Sequence, residues 1–260
     1  MKFTILTLFP EMFSGFLEHS ILKRAQEKGL LGVELLQIRD HATGRHRPVD
    51  DTPYGGGPGM VMKVDVLDRA LESVSDAPHV VYLTPQGKPF RQNDALRLAD
   101  LNHVALVCGH YEGIDERFVE ARVDEEFSLG DFVLTGGEIP ALAIVDAVTR
   151  LLPGVLGDGE SAKEDSFYTG LLDHPHYTRP RAWQDAHNEQ VRAVPDVLCS
   201  GNHGAVDQWR RRQALIRTLL RRPDLLESAD LTRGERRMME QFLRELQATV
   251  SETPEIVNTH

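Results

Sequence analysis

Four short runs of apolar, largely β-branched residues, at positions 3–8, 33–38, 79–84 and 104–108, alternate with stretches of helical periodicity through the first half of this chain. Runs of that length and composition read as buried parallel strands. Between the first two, residues 11–28 place Phe13, Phe16, Leu17, Ser20, Ile21 and Ala25 on one helical face, and Gly29 supplies a C-terminal stop. Residues 64–73 and 92–101 read as further crossover helices, and residues 139–152 as the last helix of this part. Strands alternating with helices predict an α/β domain with a mostly parallel sheet and ligand sites at the C-terminal ends of its strands.

The pattern then changes. Residues 157–166 are small and polar without apolar periodicity, which marks a linker or mobile loop. After a Pro-rich passage at 175–180, helical spacing returns at 207–221 and 232–250, so a smaller, mainly helical second domain is expected. Residues 251–260 have nothing to pack and read as a frayed tail. The 260 residues suffice for one large or two modest domains, and no internal repeat appears.

A net charge of −11 argues against a generic nucleic-acid binder. The exception is local: Arg210, Arg211, Arg212, Arg217, Arg221 and Arg222 make a basic stretch able to hold a phosphate backbone, or else a solvated helix face. Cys108 and Cys199 stand far apart in no metal-ligand spacing, so a reducing compartment fits. The apolar opening meets Glu11 at once and reads as a strand, and the longest apolar stretch, 141–156, is broken by Asp146, Arg150 and Pro153. A cytoplasmic protein without a membrane span is the expectation.

Four glycine- or turn-rich segments follow the strands: 51–60, 83–87, 108–117 and 128–138. No Gly-Lys-Ser/Thr follows the glycines and none of the segments carries the dinucleotide fingerprint, which disfavours nucleoside triphosphates and nicotinamide dinucleotides. What remains is a site where bare backbone N–H and C=O groups from several loops surround a ligand. Adenine with a methionine-like tail suits such a pocket.

In combination these segments resemble a known family. Leu8-Phe9-Pro10-Glu11-Met12-Phe13, 54–60, 107–117, Gly130-Asp131 with Gly136-Gly137-Glu138, 153–157, Glu164-Asp165-Ser166-Phe167, 170–173, 175–180 and Ser200-Gly201-Asn202-His203 run in the order found in bacterial tRNA (guanine-N1)-methyltransferases and span the chain to about Leu226. The resemblance implies an α/β SPOUT-class domain at 1–157 whose mostly parallel sheet closes a deep trefoil knot, a flexible linker at 158–172, a smaller helical tRNA-binding domain at 173–250, and the tail. Chain topology alone predicts an unknotted sheet. The resemblance further implies S-adenosylmethionine as methyl donor, tRNA guanosine 37 preceded by guanosine 36 as acceptor, reading-frame maintenance as the consequence, a homodimer with active sites at the subunit boundary, and a divalent cation, Mg2+, whose site no acidic cluster marks.

The implied roles follow the chemistry. Asp165 maps onto the general base that removes the N1 proton, and Arg150 onto the cation that stabilises charge developing on O6. Without the resemblance, Asp165 would read as a solvated loop carboxylate and Arg150 as a cation at a helix C-terminus. Cofactor contacts map onto Tyr82, Leu83, Thr84, Pro85, Gly109, Tyr111, Leu129, Gly130, Asp131, Phe132, Val133, Leu134, Gly136, Gly137 and Pro140. Glu112 and Asp173 are assigned to substrate, near the target base and the cofactor's ammonium end, and Arg210, Arg211 and Arg217 to tRNA phosphate. An aspartate of ordinary pKa, about 3.9, is a weak base here, so residues 158–170 are expected to be disordered without RNA and to close over guanosine. His174 and Phe132 depart from the family's usual Cys and Tyr, and 181–193 is longer than the pattern. His174-Pro175-His176 lacks a third ligand in sequence and reads as structural. Two rivals are a related SPOUT enzyme acting on ribose or rRNA, which Asp165 disfavours, and a non-catalytic RNA-binding module using the Arg210–Arg222 helix.

Overall fold

The computed structural model describes residues 1–156, 165–187 and 190–252, with side chains in the last helix described as far as residue 245 and at 247. The chain forms two compact units, residues 1–162 and 163–260. The first is built on five parallel strands in the order β2-β1-β6-β5-β7: β1 (Lys2–Thr7), β2 (Gly32–Gln37), β5 (His79–Pro89), β6 (His103–Cys108) and β7 (Glu125–Ser128). Two short strands, β3 (Asp50–Asp51) and β4 (Val61–Met62), pair antiparallel outside this sheet.

Alternating side chains enter two cores. Phe3, Ile5, Val81, Leu83, Val104, Leu106 and Phe127 pack on one face against α1 (Glu11–Leu17), α2 (Ser20–Glu27), α4 (Gln92–Ala99) and α6 (Glu138–Thr149). Leu6, Val80, Tyr82, Ala105 and Val107 face α3 (Val64–Glu72) and α5 (Glu116–Arg122) on the other. Coverage of both faces explains why β6 is apolar from Val104 to Cys108, since no position has a wet side. At the sheet edge, the run at 33–38 is only half-buried as β2.

The helix expected at 11–28 is two helices. The chain breaks at Glu18 and His19, and Ser20 takes a positive φ of 52°. The break shifts the inward stripe by one position, from Phe13 and Leu17 to Leu22 and Ala25, leaving Phe16 and Ser20 outside. Strand β7 escapes sequence reading for another reason. Glu125 and Glu126 suit an edge strand, and Glu125 is held there by Lys88 and Arg97 at 3.0 and 2.7 Å.

The feature that shapes the site is in β5. Leu83 and Lys88 both pair with Phe127, so residues 84–87 leave the sheet and return to it at the same place.

The second unit gathers Leu171, Leu215, Ala229, Leu231 and Met239 between α7 (His203–Arg221) and α8 (Arg233–Glu252). Asn202 caps α7 by accepting the Ala205 N–H at 3.1 Å. Thr232 and Glu235 exchange hydrogen bonds at the start of α8. An antiparallel hairpin, β8 (Ala182–Gln184) with β9 (Val191–Ala193), occupies the longer segment noted in the sequence. Of the expected linker, residues 157–164 lie outside the described residues, as does the tail from 253. Within the rest of it, Leu171 is buried in the core of this unit.

Candidate functional site

A cleft of about 280 Å³ opens where β5, β6 and β7 end. Its walls are the looped-out residues 84–86, the turn 109–113 after β6, and the segment 128–137 that follows β7. That segment runs back to β6, where the Gly137 N–H donates to the Gly109 carbonyl at 3.0 Å and Gly136 pairs with His110. Every residue assigned to cofactor contact lines this cleft except Asp131, and Gln86, His110, Glu112, Gly113, Phe127, Ser128 and Thr135 join them. The lining combines Gly109, Gly113, Gly130, Gly136 and Gly137 with the apolar Leu83, Leu129, Val133, Leu134 and Pro140 and the aromatic Tyr82, Tyr111 and Phe132, so it suits a ligand with a flat aromatic part and a short polar tail.

Beneath the cleft lies a chain of polar groups. Glu138, 1% exposed, receives the Thr7 hydroxyl at 2.7 Å on one oxygen, while His110 Nε2 stands 2.8 Å from the other. The Thr7 hydroxyl also accepts the Phe9 N–H at 2.9 Å, and the Phe9 ring meets His110 edge-on. Gly136 is forced by this chain, because a Cβ there would run into the His110 ring and the Glu138 carboxylate. Burial pushes the Tyr82 phenol above its usual pKa. Tyr111 adopts a positive φ of 59° and stays half-exposed, with its pKa raised by burial and by Asp50. Glu112 sits against Gly59, where its side chain occupies the space of a Cβ.

The second unit holds a cleft of about 290 Å³ that brings Asp165, Asp173, Arg210 and Arg211 together, along with His174 and Asp207. Arg211 is engaged there: its Nε donates to Glu235 at 2.6 Å. Arg210 lies 3.8 Å from Asp207, and Arg217 is half-buried two turns along the same helix. Burial pushes the Asp173 carboxyl up, but hydrogen bonds from His176 and the His174 backbone outweigh this and hold it below its ordinary value. Arg150 caps the C-terminus of α6 in the first unit and is half-buried.

Asp173, His174 and His176 form the one cluster of metal-capable side chains among the described residues. Asp173 supplies a third group that the spacing alone did not reveal, and its two carboxylate oxygens lie 2.7 Å from His174 Nδ1 and His176 Nε2. Two imidazoles and one carboxylate suit a borderline metal such as zinc, whereas Mg2+ requires oxygen ligands, so the residues present do not fit magnesium.

Sequence reasoning missed His110, Glu138 and Thr7. The available signal was Glu138 itself, a carboxylate opening a helix whose inward residues are otherwise apolar except Thr149 at its far end. Among the described residues, no helix is long and apolar enough to cross a membrane.

Comparison with known proteins matches residues 1–228 to the family described as tRNA (Guanine-1)-methyltransferase TrmD. A relative from Magnetococcus marinus, named tRNA (guanine-N(1)-)-methyltransferase, is 60% identical over 250 residues, covering 95% of this chain and 98% of its own. Proteins of the same name from Carboxydothermus hydrogenoformans and Pseudomonas putida W619 are each 52% identical, covering 98% and 94% of this chain and 99% and 97% of theirs.

Proposed function

This chain belongs to the tRNA (guanine-1)-methyltransferase family, and from that premise we propose that it methylates N1 of guanosine 37 in tRNA with S-adenosylmethionine as donor. The observation that carries the proposal is the glycine-lined cleft, built from three separate segments that the family resemblance independently assigns to the cofactor. When bound, adenosylmethionine supplies an electrophilic methyl group. The residues around it must hold the ligand, orient the guanine and manage one proton.

Asp165 would take the N1 proton as the methyl passes from the donor's sulfur to N1, leaving a neutral thioether, and Arg150 would donate to O6 as negative charge develops there. Asp173, Arg210, Arg211 and Arg217 contribute to RNA binding, supported by the clustering of Asp165, Asp173, Arg210 and Arg211 along one cleft. On this reading residues 1–157 form the methyltransferase domain, 158–172 connect it to a tRNA-binding domain at 173–250, and 251–260 are a tail. The return of the chain from β7 to the end of β6 supports the deep trefoil knot of the SPOUT class. Exposed Phe9, Met12, Phe16, Phe132, Val133 and Ile139 support a homodimer with each active site at the subunit boundary. Residues 158–170, of which 158–164 lie outside the described residues, would close over the guanosine once RNA is bound.

The test is transfer of labelled methyl from adenosylmethionine to unmodified tRNA transcripts carrying guanosine or adenosine at position 37. Methylation of the guanosine transcript alone, reduced at least 100-fold by Asp165→Asn, is the expected result. Equal labelling of both transcripts would overturn the acceptor assignment, and a fully active Asp165→Asn would overturn the base.

A further inference from the structure

The methyl-transfer reading leaves unused a carboxylate buried beneath the cleft. Glu138 opens α6 and is 1% exposed, and burying such a group is strongly unfavourable unless hydrogen-bond partners surround it. Its two partners come from the ends of two different strands. Thr7, at the end of β1, donates to Oε1 at 2.7 Å, and His110, just past β6, places Nε2 2.8 Å from Oε2. Phe9 closes the circuit, with its N–H on Thr7 and its ring against His110 at 4.9 Å between centroids.

An apolar side chain would fill this corner without the desolvation cost. What a carboxylate adds is direction, since it fixes which imidazole nitrogen points inward and thereby the orientation of His110. His110 belongs to the 109–113 wall of the cleft, and Glu138 directly follows the 134–137 wall. The pair therefore adds a side-chain tie between two walls that backbone pairing already joins at Gly109–Gly137 and His110–Gly136, and fixes the imidazole that bounds the gap left for a planar ligand.

We propose that Glu138 is a positioning residue for the cofactor: acting through His110, it sets the spacing of the two walls and so the affinity for adenosylmethionine, without touching the ligand. The inference rests on reading the cleft as the adenosylmethionine site.

The test uses the full-length protein titrated calorimetrically with adenosylmethionine, alongside steady-state kinetics. Glu138→Ala and His110→Ala should each weaken binding roughly 10- to 100-fold, the range expected for losing a hydrogen bond to a charged group, and raise the cofactor KM in proportion. The value of kcat at saturating cofactor should stay within about threefold. Glu138→Gln keeps an acceptor for Thr7 and a donor for a neutral His110, and should recover most of the affinity. Val66→Ala, on the other face of the sheet, should lower Tm and leave cofactor affinity unchanged. Unchanged affinity in folded Glu138→Ala, or a fall in kcat at constant KM, overturns the inference. Should Glu138→Ala fail to fold, His110→Ala decides it by the same criteria, and a Glu138→Gln protein that loses as much affinity as His110→Ala overturns it too. Wild-type protein that binds no adenosylmethionine removes the cofactor reading itself, and this inference with it.

Discussion

Replacing Thr7 with valine tests the polar chain at its most buried point. Thr7 is fully buried, and its hydroxyl both donates to Glu138 at 2.7 Å and accepts from the Phe9 N–H at 2.9 Å. Valine keeps the shape and removes both bonds. Losing a hydrogen bond to a carboxylate costs about 1.5–3 kcal/mol, and leaving a partly buried N–H without a partner adds about 1 kcal/mol or more. The methyl that replaces the hydroxyl returns roughly 0.8 kcal/mol of apolar burial. The net destabilisation is about 2–4 kcal/mol, or roughly 4–15 °C in Tm for a unit of this size. Thr7→Ser retains the hydroxyl and loses one buried methyl, about 1 kcal/mol. Thermal and urea unfolding should be followed by far-UV circular dichroism, because Trp183 and Trp209 both lie in the second unit and their fluorescence reports on the wrong part of the chain. A Thr7→Val protein as stable as wild type, or more stable than Thr7→Ser, would show that packing and not the hydroxyl holds this corner.

Other outcomes follow from neighbouring features. Glu125 lies below the ordinary carboxylate pKa, because Lys88, His79 and Arg97 outweigh the upward push of burial. A depressed folded-state pKa contributes stability that is present above the unfolded value of about 4.3 and lost as pH falls through the folded value. Glu125→Gln should therefore flatten the acid limb of a urea midpoint against pH profile, by about 1 kcal/mol given the exposure of its partners; identical profiles would refute the role. Cys199 is exposed, whereas Cys108 is fully buried and burial raises its thiol pKa well above the usual value. A thiol reagent should titrate one cysteine in the native protein and the second only on unfolding. Gly136→Ala pushes a methyl into His110 and Glu138, so adenosylmethionine binding should fall at least tenfold by calorimetry, and an unaltered Kd would mean the walls tolerate the shift.

What could be read in advance depends on whether each residue declares its own environment. Strands β1, β5 and β6 were legible because their buried stretches are apolar or β-branched, with Thr4 in β1 buried among them, whereas β5 beyond Thr84 is largely exposed and polar and was not read as strand. Helices α3, α4 and α6 kept their expected limits to within a few residues. Strand β7 was not legible, because Glu125-Glu126-Phe127-Ser128 is stabilised by ion pairs with residues far away in sequence. The split between α1 and α2 depends on one backbone conformation at Ser20, for which serine carries no signature. The cofactor segments were visible as glycine-rich turns, but their convergence on one cleft depends on strand order. The link from His110 to Glu138 spans 28 residues, and neither side chain alone identifies the other. Asp165 became a candidate through resemblance, since the residues around it are those of any polar loop.

The excursion of β5 has a further consequence. Because Leu83 and Lys88 meet the same partner, Phe127, the four residues between them form a closed detour that begins and ends at one point on the sheet. Insertions or deletions inside the detour leave the pairing of every strand in register, and with it the alternation that feeds both cores. Variation in length and side chain is thereby confined to residues 84–86, which face the cleft, because Gly87 lies so close to the backbone of Glu126 and Phe127 that no side chain fits there.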